Sequence, residues 1–221
     1  MNYKEIADRL GPRTGATQEW VYQVLKEGIV SGELKGGTQL KQDEISSMLA
    51  VSPIPVREAL RKLEARGLVQ IKTNKGATVQ ILQRHHVLDM MEIRAMLSAM
   101  KLKNSAPLLT EEDYRQIAEV IEAQRNATDP MECEKLNYRF HELITCHDDN
   151  VIASMFMEMI RNSIDRYIRY PLYDEENRRT ASADEHEQIM NACRSGDYEK
   201  ACELLKEHIL HAKKFVPDLM E

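Results

Sequence analysis

The sequence predicts a mainly α protein in which a small mixed module precedes an all-α antiparallel bundle. Eight of the nine glycines lie at or before Gly76 and the ninth is Gly196. A stretch of about 140 residues is thus nearly free of the ordinary residue that most disfavours helix. Charge divides at the same place: residues 1–83 hold 12 Lys+Arg against 9 Asp+Glu, and residues 84–221 hold 18 against 27. Before that boundary, the segments 68–72 and 77–81 alternate apolar and polar around Thr-Asn-Lys-Gly, which is a hairpin pattern. The expected domains are therefore residues 1–83 and 84–221.

Composition narrows the class. The 221 residues are 43% hydrophobic and 30% charged, enough for one large domain or two small ones and unlike disordered or collagen-like chains. No apolar run approaches the ~18 residues of a bilayer span, and the first residues lack the apolar core of a secretory signal. A cytoplasmic protein with no membrane partner is expected. Cys133, Cys146, Cys193 and Cys202 form no Cys-x-x-Cys pair and read as free thiols.

In the first module, Thr17 is placed to cap a helix running to about Ser31, with Trp20, Val21, Val24, Leu25 and Ile29 on one face. A turn over residues 31–37 leads to a short helix, Asp43 to Leu49. Val-Ser-Pro-Ile-Pro then precedes a third helix, Val56 to Arg66, which Gly67 ends. Three short helices and a two-stranded wing make a winged helix-turn-helix. Downstream, helices are expected at about 86–105, 111–127, 131–147, 151–170, 175–195 and 197–214. Pro107, Pro130, Pro171 and Pro217 punctuate them, and Thr110 to Asp113 and Ser182 to Glu185 carry cap-like chemistry. Six such helices pack as a bundle.

The helix-turn-helix places its second helix in the major groove of double-stranded DNA. Val56, Ala59, Leu60 and Leu63 form that helix's apolar stripe, and Arg57, Arg61 and Lys62 lie off it. Residues 51–76 carry six basic side chains against two acidic ones, a local cationic patch on a chain of net charge −6. With Ser52 ahead of the helix and Lys72, Asn74, Lys75 and Gly76 on the wing, these residues form the candidate DNA-contacting set.

Three histidines of the second domain stand out. Asn137 and His141 are one helical turn apart, His186 follows the Ser182 to Glu185 cap, and His208 lies on the last helix. Ligands on separate helices of a bundle can converge. His85, His86, His147 and His211 read as ordinary hydrogen-bonded residues.

The stretch Ser52 to Leu68, S-x-x-P-V-R-E-A-L-x-x-L-x-x-x-G-L, resembles the DNA-binding domain of GntR-type bacterial regulators. The resemblance implies a homodimer on a short palindromic operator, with Arg57 among its DNA contacts. Asp43 departs from the basic residue many members carry there, and Pro53 and Pro55 remove two backbone donors. The helical part is similar to the FCD effector domain of the family's FadR branch: N-x-x-F-H at 137–141, Glu185-His186, Gly196-Asp197 and His208. That implies a divalent transition metal, Zn²⁺ or Ni²⁺, held by Asn137, His141, His186 and His208, with Asn137 standing where the pattern has aspartate. It also implies a carboxylate effector, for which Arg94, Arg166 and Arg169 are candidate partners.

The expected function is a ligand-responsive transcriptional repressor and not an enzyme. A metal hydrolase and a helical adaptor are the rival classes. No His-Glu-x-x-His, P-loop or G-x-S-x-G supports the first, and the second leaves the basic wing without a use.

Overall fold

The computed structural model describes residues 3–13, 15–72, 76–173 and 176–216, without the side chains of residues 72, 130–131, 165–166, 168–173 and 176–179. The side chains of Lys72, Asn74, Lys75, Arg166 and Arg169 therefore lie outside the described residues. Packing separates a first unit, residues up to 83 with 161–166, from a second that runs from 84 to 160 and resumes at 167.

The first unit contains α1 (Tyr3–Leu10), α2 (Thr17–Val30), β1 (Gln39–Leu40), α3 (Gln42–Met48), α4 (Pro53–Ala65), β2 (Val69–Lys72) and β3 (Gly76–Val79). Val21, Leu25 and Ile29 of α2, Ile45 of α3 and Val56, Leu60 and Leu63 of α4 share one core with Leu68 and Val79. The strands form an antiparallel sheet in the order β1-β3-β2, with Gln39 opposite Thr78 and Ile71 opposite Ala77.

Four features differ from expectation. Helix α1 and strand β1 were not anticipated. Ala16 rather than Thr17 is the N-cap of α2, and Thr17 is already helical. Helix α4 begins three residues early, at Pro53, with Ser52 as N-cap. The prolines fall in the first turn, where the missing N–H groups have no intrahelical acceptor to lose and the fixed φ already suits a helix.

Glycine and its absence shape the two ends of the α3–α4 region. Gly67, at φ +71°, ends α4, and Leu68 N–H bonds back to the Leu63 carbonyl at 3.0 Å. The turn between α3 and α4 instead puts Ala50 at φ +51°, a left-handed conformation that a Cβ disfavours.

The second unit holds α5 (Arg84–Ser105), α6 (Glu111–Asn126), α7 (Pro130–Ile144), α8 (Val151–Tyr173), α9 (Glu176–Arg194) and α10 (Tyr198–His211), with 3₁₀ turns at Ala106–Leu108 and Ala212–Phe215. Helix α10 packs on α5 and α9, and α6 packs on α7 and α9. Leu102, Ile117, Phe140, Ile189, Leu205 and Ile209 are part of their shared core.

Thr110 caps α6 with a reciprocal box: Asp113 N–H donates to Thr110 Oγ1 at 3.2 Å and Thr110 N–H to Asp113 Oδ2 at 2.8 Å. His147 Nε2 also lies 2.9 Å from Asp113 Oδ2. The His147 bond first, then those of Thr110, hold this carboxyl down to about 2. Its folded pKa lies below the ordinary value, so its stabilisation is complete above the usual carboxylate range and is lost as pH falls toward about 2. The other expected cap is not one. Ser182 lies inside α9, buried, and its hydroxyl accepts from Gln124 Nε2 at 3.3 Å. A hydroxyl spent on a neighbouring helix leaves no start signal, so α9 runs unbroken from Glu176.

An ion pair ties α5 to the loop before α8. Lys101 Nζ lies 2.7 Å from Asp148 Oδ2 and 2.7 Å from Ser154 Oγ, and Asn104 donates to Asp148 Oδ1 at 2.8 Å. Both charged side chains are buried, so removing one strands the other in low dielectric. Lys101→Ala is expected to destabilise the helical unit by about 3–5 kcal/mol. Urea unfolding followed by circular dichroism checks this, and a loss under 1 kcal/mol contradicts it.

Candidate nucleic-acid interface and metal centre

On α4 the four apolar positions are buried and the opposite side is open. Arg57 and Arg61 are exposed and share Glu58 Oε1, at 3.5 and 3.3 Å. Such solvent-exposed pairs contribute little, so both guanidinium groups remain available to a polyanion. Lys62 is placed differently. Its Nζ lies 2.6 Å from Glu19 Oε2 and 4.2 Å over the Tyr22 ring, which ties α4 to α2. Ser52 is exposed and its side chain makes no cap hydrogen bond. Gly76, at φ +76°, opens β3 on the wing. Asp43 lies in the first turn of α3, where the helix dipole favours a carboxylate.

Two helix N-termini open onto one depression of about 450 Å³, lined by Arg13, Thr17 and Gln18 beside α2 and by Ser52, Ile54 and Pro55 of the α4 entry. The first-turn N–H groups of α2 and the positive dipole ends of both helices make such a place suited to phosphate, although Pro53 and Pro55 leave α4 few donors of its own.

The second unit gathers its histidines inside the bundle. His141 of α7, His186 of α9 and His208 of α10 place ligand nitrogens within 4.8 Å of one another. His186 is fully buried, and its ring stacks on Phe140 with centroids 3.7 Å apart. Its Nδ1–H donates to Gln124 Oε1 at 2.8 Å, while the Gln124 amide nitrogen is engaged with Ser182. His208 Nδ1–H donates to Glu185 Oε2 at 2.6 Å, and His211 Nδ1 lies 2.9 Å from the other Glu185 oxygen.

These partners fix the tautomers. With Nδ1 of each ring donating, neutral His186 and His208 both present Nε2 as a lone pair, and the two Nε2 atoms are 3.1 Å apart. Facing lone pairs repel unless a proton or a cation lies between them. A cation bound at ordinary Zn–N distances separates its nitrogens by roughly 2.9–3.3 Å, for angles between octahedral and tetrahedral. The observed spacing fits that range. His141 supplies the third nitrogen, and its proton affinity is pushed well down by burial first, then by His208 and by the Arg94 charge. It therefore stays neutral at pH 7, as a ligand must.

The donor set fits Zn²⁺ or Ni²⁺. Asn137 is buried on α7 one turn before His141. Arg94, half-buried on α5, acts on His141 electrostatically. Glu185 and Gln124 are the residues whose role the sequence reading missed. Glu185 was visible as the neighbour of His186 and as part of an expected cap, not as a partner of His208, and Gln124 lies 62 positions from its histidine with no local signal.

A winged helix-turn-helix followed by an all-helical domain defines a class of two-domain transcription regulator. Residues 17–79 match the bacterial regulatory proteins of the gntR family and residues 89–211 match the FCD domain. The chain belongs to the FCD-bearing GntR family, whose members are transcriptional regulators and not enzymes. It is 26% identical over 219 residues to the HTH-type transcriptional repressor RspR of Escherichia coli K12, covering 98% of this chain and 95% of that one. It is 26% identical to the uncharacterized regulator YdhC of Bacillus subtilis 168, covering 90% and 91%. Among solved structures, E. coli McbR/YncC shares the fold at TM-score 0.74 and 21% identity over 90% of this chain and 95% of that one. A GntR-family regulator from Pseudomonas syringae pv. tomato DC3000 aligns at TM-score 0.53 and 28% identity over 97% and 92%. Among the described residues no helix is long and apolar enough to cross a membrane.

Glu185 orients His208, so its loss should reach the cluster without removing a ligand. Glu185→Ala is expected to lower Zn²⁺ affinity by about 10–100-fold, read by competition with a chromophoric chelator. Wild-type affinity in the variant contradicts the assigned orientation.

Proposed function

We propose that the chain is a cytoplasmic, homodimeric repressor that binds a palindromic double-stranded operator and releases it when a small carboxylate metabolite enters the helical domain. The observation that carries this reading is the pair of facing His186 and His208 nitrogens inside a domain joined to a DNA-reading module. His141, His186 and His208, with Asn137, hold a divalent transition metal. When bound, such a metal would supply Lewis acidity toward an effector carboxylate. Arg94 adds positive charge beside that position, and Arg166 and Arg169 are further candidates for the same role.

On the DNA side, Arg57 and Arg61 approach the major groove, Ser52 a phosphate, and Lys72, Asn74, Lys75 and Gly76 the flanking backbone or minor groove. Lys62, held by Glu19, positions α4 and adds charge near the duplex.

Two observations support the dimer and the sign of regulation. Ile93, Met96 and Met100 of α5 and Val151, Ile152, Met155, Phe156 and Met159 of α8 are exposed. Contacts of Ser98 with Met157 and of Lys101 with Ser154 bring these helices together, so the apolar residues suit burial against a second copy. RspR, the E. coli relative, is named a repressor. Coupling requires only that the effector bind two dimer arrangements with different affinity.

The test is Arg57→Ala against an operator selected from random duplexes. Specific affinity is expected to fall by about 10–100-fold, as for loss of one good base or phosphate contact, with the circular dichroism spectrum unchanged. Wild-type specific affinity in the folded variant defeats the assignment of α4 as the reading helix.

A further inference from the structure

Ile54 is 63% exposed, more than any other large apolar residue described in the first unit. It is the second residue of α4, set between Pro53 and Pro55 in the helix's first turn. Folding does not use it: the core of this unit is filled by Val56, Leu60 and Leu63 from the same helix. An isoleucine left this exposed at the leading end of a reading helix is placed to touch the duplex directly.

The two prolines narrow what it meets there. Neither has a backbone N–H, so the entry of α4 offers few donors beyond the Ser52 hydroxyl. Both also fix their own φ, which flanks Ile54 with two rigid residues in the helix's first turn and leaves little backbone entropy to lose on contact. The base edges of the major groove carry hydrogen-bonding groups with one apolar exception, the C5-methyl of thymine. An apolar, rigid, exposed side chain at the N-terminal end of a helix in that groove complements this one feature.

We propose that Ile54 is a specificity-determining residue that reads a thymine methyl in each operator half-site, resting on the DNA-reading role proposed for α4. Base choice at that position then comes from apolar contact rather than from a hydrogen-bonded pair. Replacing thymine by any other base, or deleting only its methyl, removes the contact, whereas Arg57 and Arg61 keep theirs.

The experiment uses the full-length protein and a duplex selected from a random library. Deoxyuridine is substituted for thymine at one half-site position at a time, in both halves, and affinity is measured by fluorescence anisotropy. For the wild-type chain, one or two positions should respond, with a loss of about fourfold per methyl removed, the effect of taking one methylene-sized group out of an apolar contact. Ile54→Ala should bind the thymine duplex more weakly and show no further loss with deoxyuridine, while Ile54→Val should keep the response. Equal deoxyuridine responses in wild type and Ile54→Ala, or no response at any position, overturn the proposal even though the operator is bound. Failure to select any duplex strikes at the DNA-reading role itself, and the proposal falls with it.

Discussion

The helical unit depends on satisfying a group of polar side chains that its own apolar core encloses. His186, Gln124, Ser182 and His208 are all buried, and each polar atom left without a partner there costs roughly 1–3 kcal/mol. The solution is a chain of bonds that crosses helices: Ser182 to Gln124, Gln124 to His186, and Glu185 to His208 and His211. That chain spans α6, α9 and α10 and favours the register in which its bonds are made. The same bonds turn both Nε2 lone pairs toward each other, so the arrangement that stabilises the bundle also builds the proposed metal site. His186 and His208, already aligned by the packing, would hold a cation without disturbing it.

The DNA-reading unit meets a different constraint with similar economy. Helix α4 must bury one stripe and leave the opposite face free for a duplex. Lys62 and Glu19 link α4 to α2 from the side, while Arg57 and Arg61 pair with Glu58 of their own helix. Ala50 holds a left-handed turn that glycine would adopt more easily. A methyl group on that turn stiffens the approach of α3 to α4 at some cost in strain.

Much of this was legible in the sequence, because periodicity and glycine distribution report on local structure directly. The hairpin and the six downstream helices rest on such local signals. The family resemblance located the three histidines, and the geometry brings them together. What escaped reading was set at a distance. Helix α1 spans only eight residues and is held by Tyr3, Ile6 and Ala7 packing into a core made elsewhere. Strand β1 is two residues long, too short to alternate, and exists because β3 pairs with it. Ser182 looked like a cap because its spacing to Glu185 suits one, yet both side chains are spent on other helices. Lys101 and Asp148 meet across 47 positions, and no spacing rule anticipates such a pair.

The facing histidines are proposed to hold a metal ion, and metal content tests that most directly. The untagged protein, purified without chelator, is analysed by elemental mass spectrometry beside His186→Ala. About one transition-metal ion per chain in the wild type, and none in the variant, is the predicted result. A wild-type chain that holds no metal, even after dialysis against Zn²⁺ or Ni²⁺, contradicts it. The two nitrogens would then share a proton, and the histidines would bind the effector by hydrogen bonds alone.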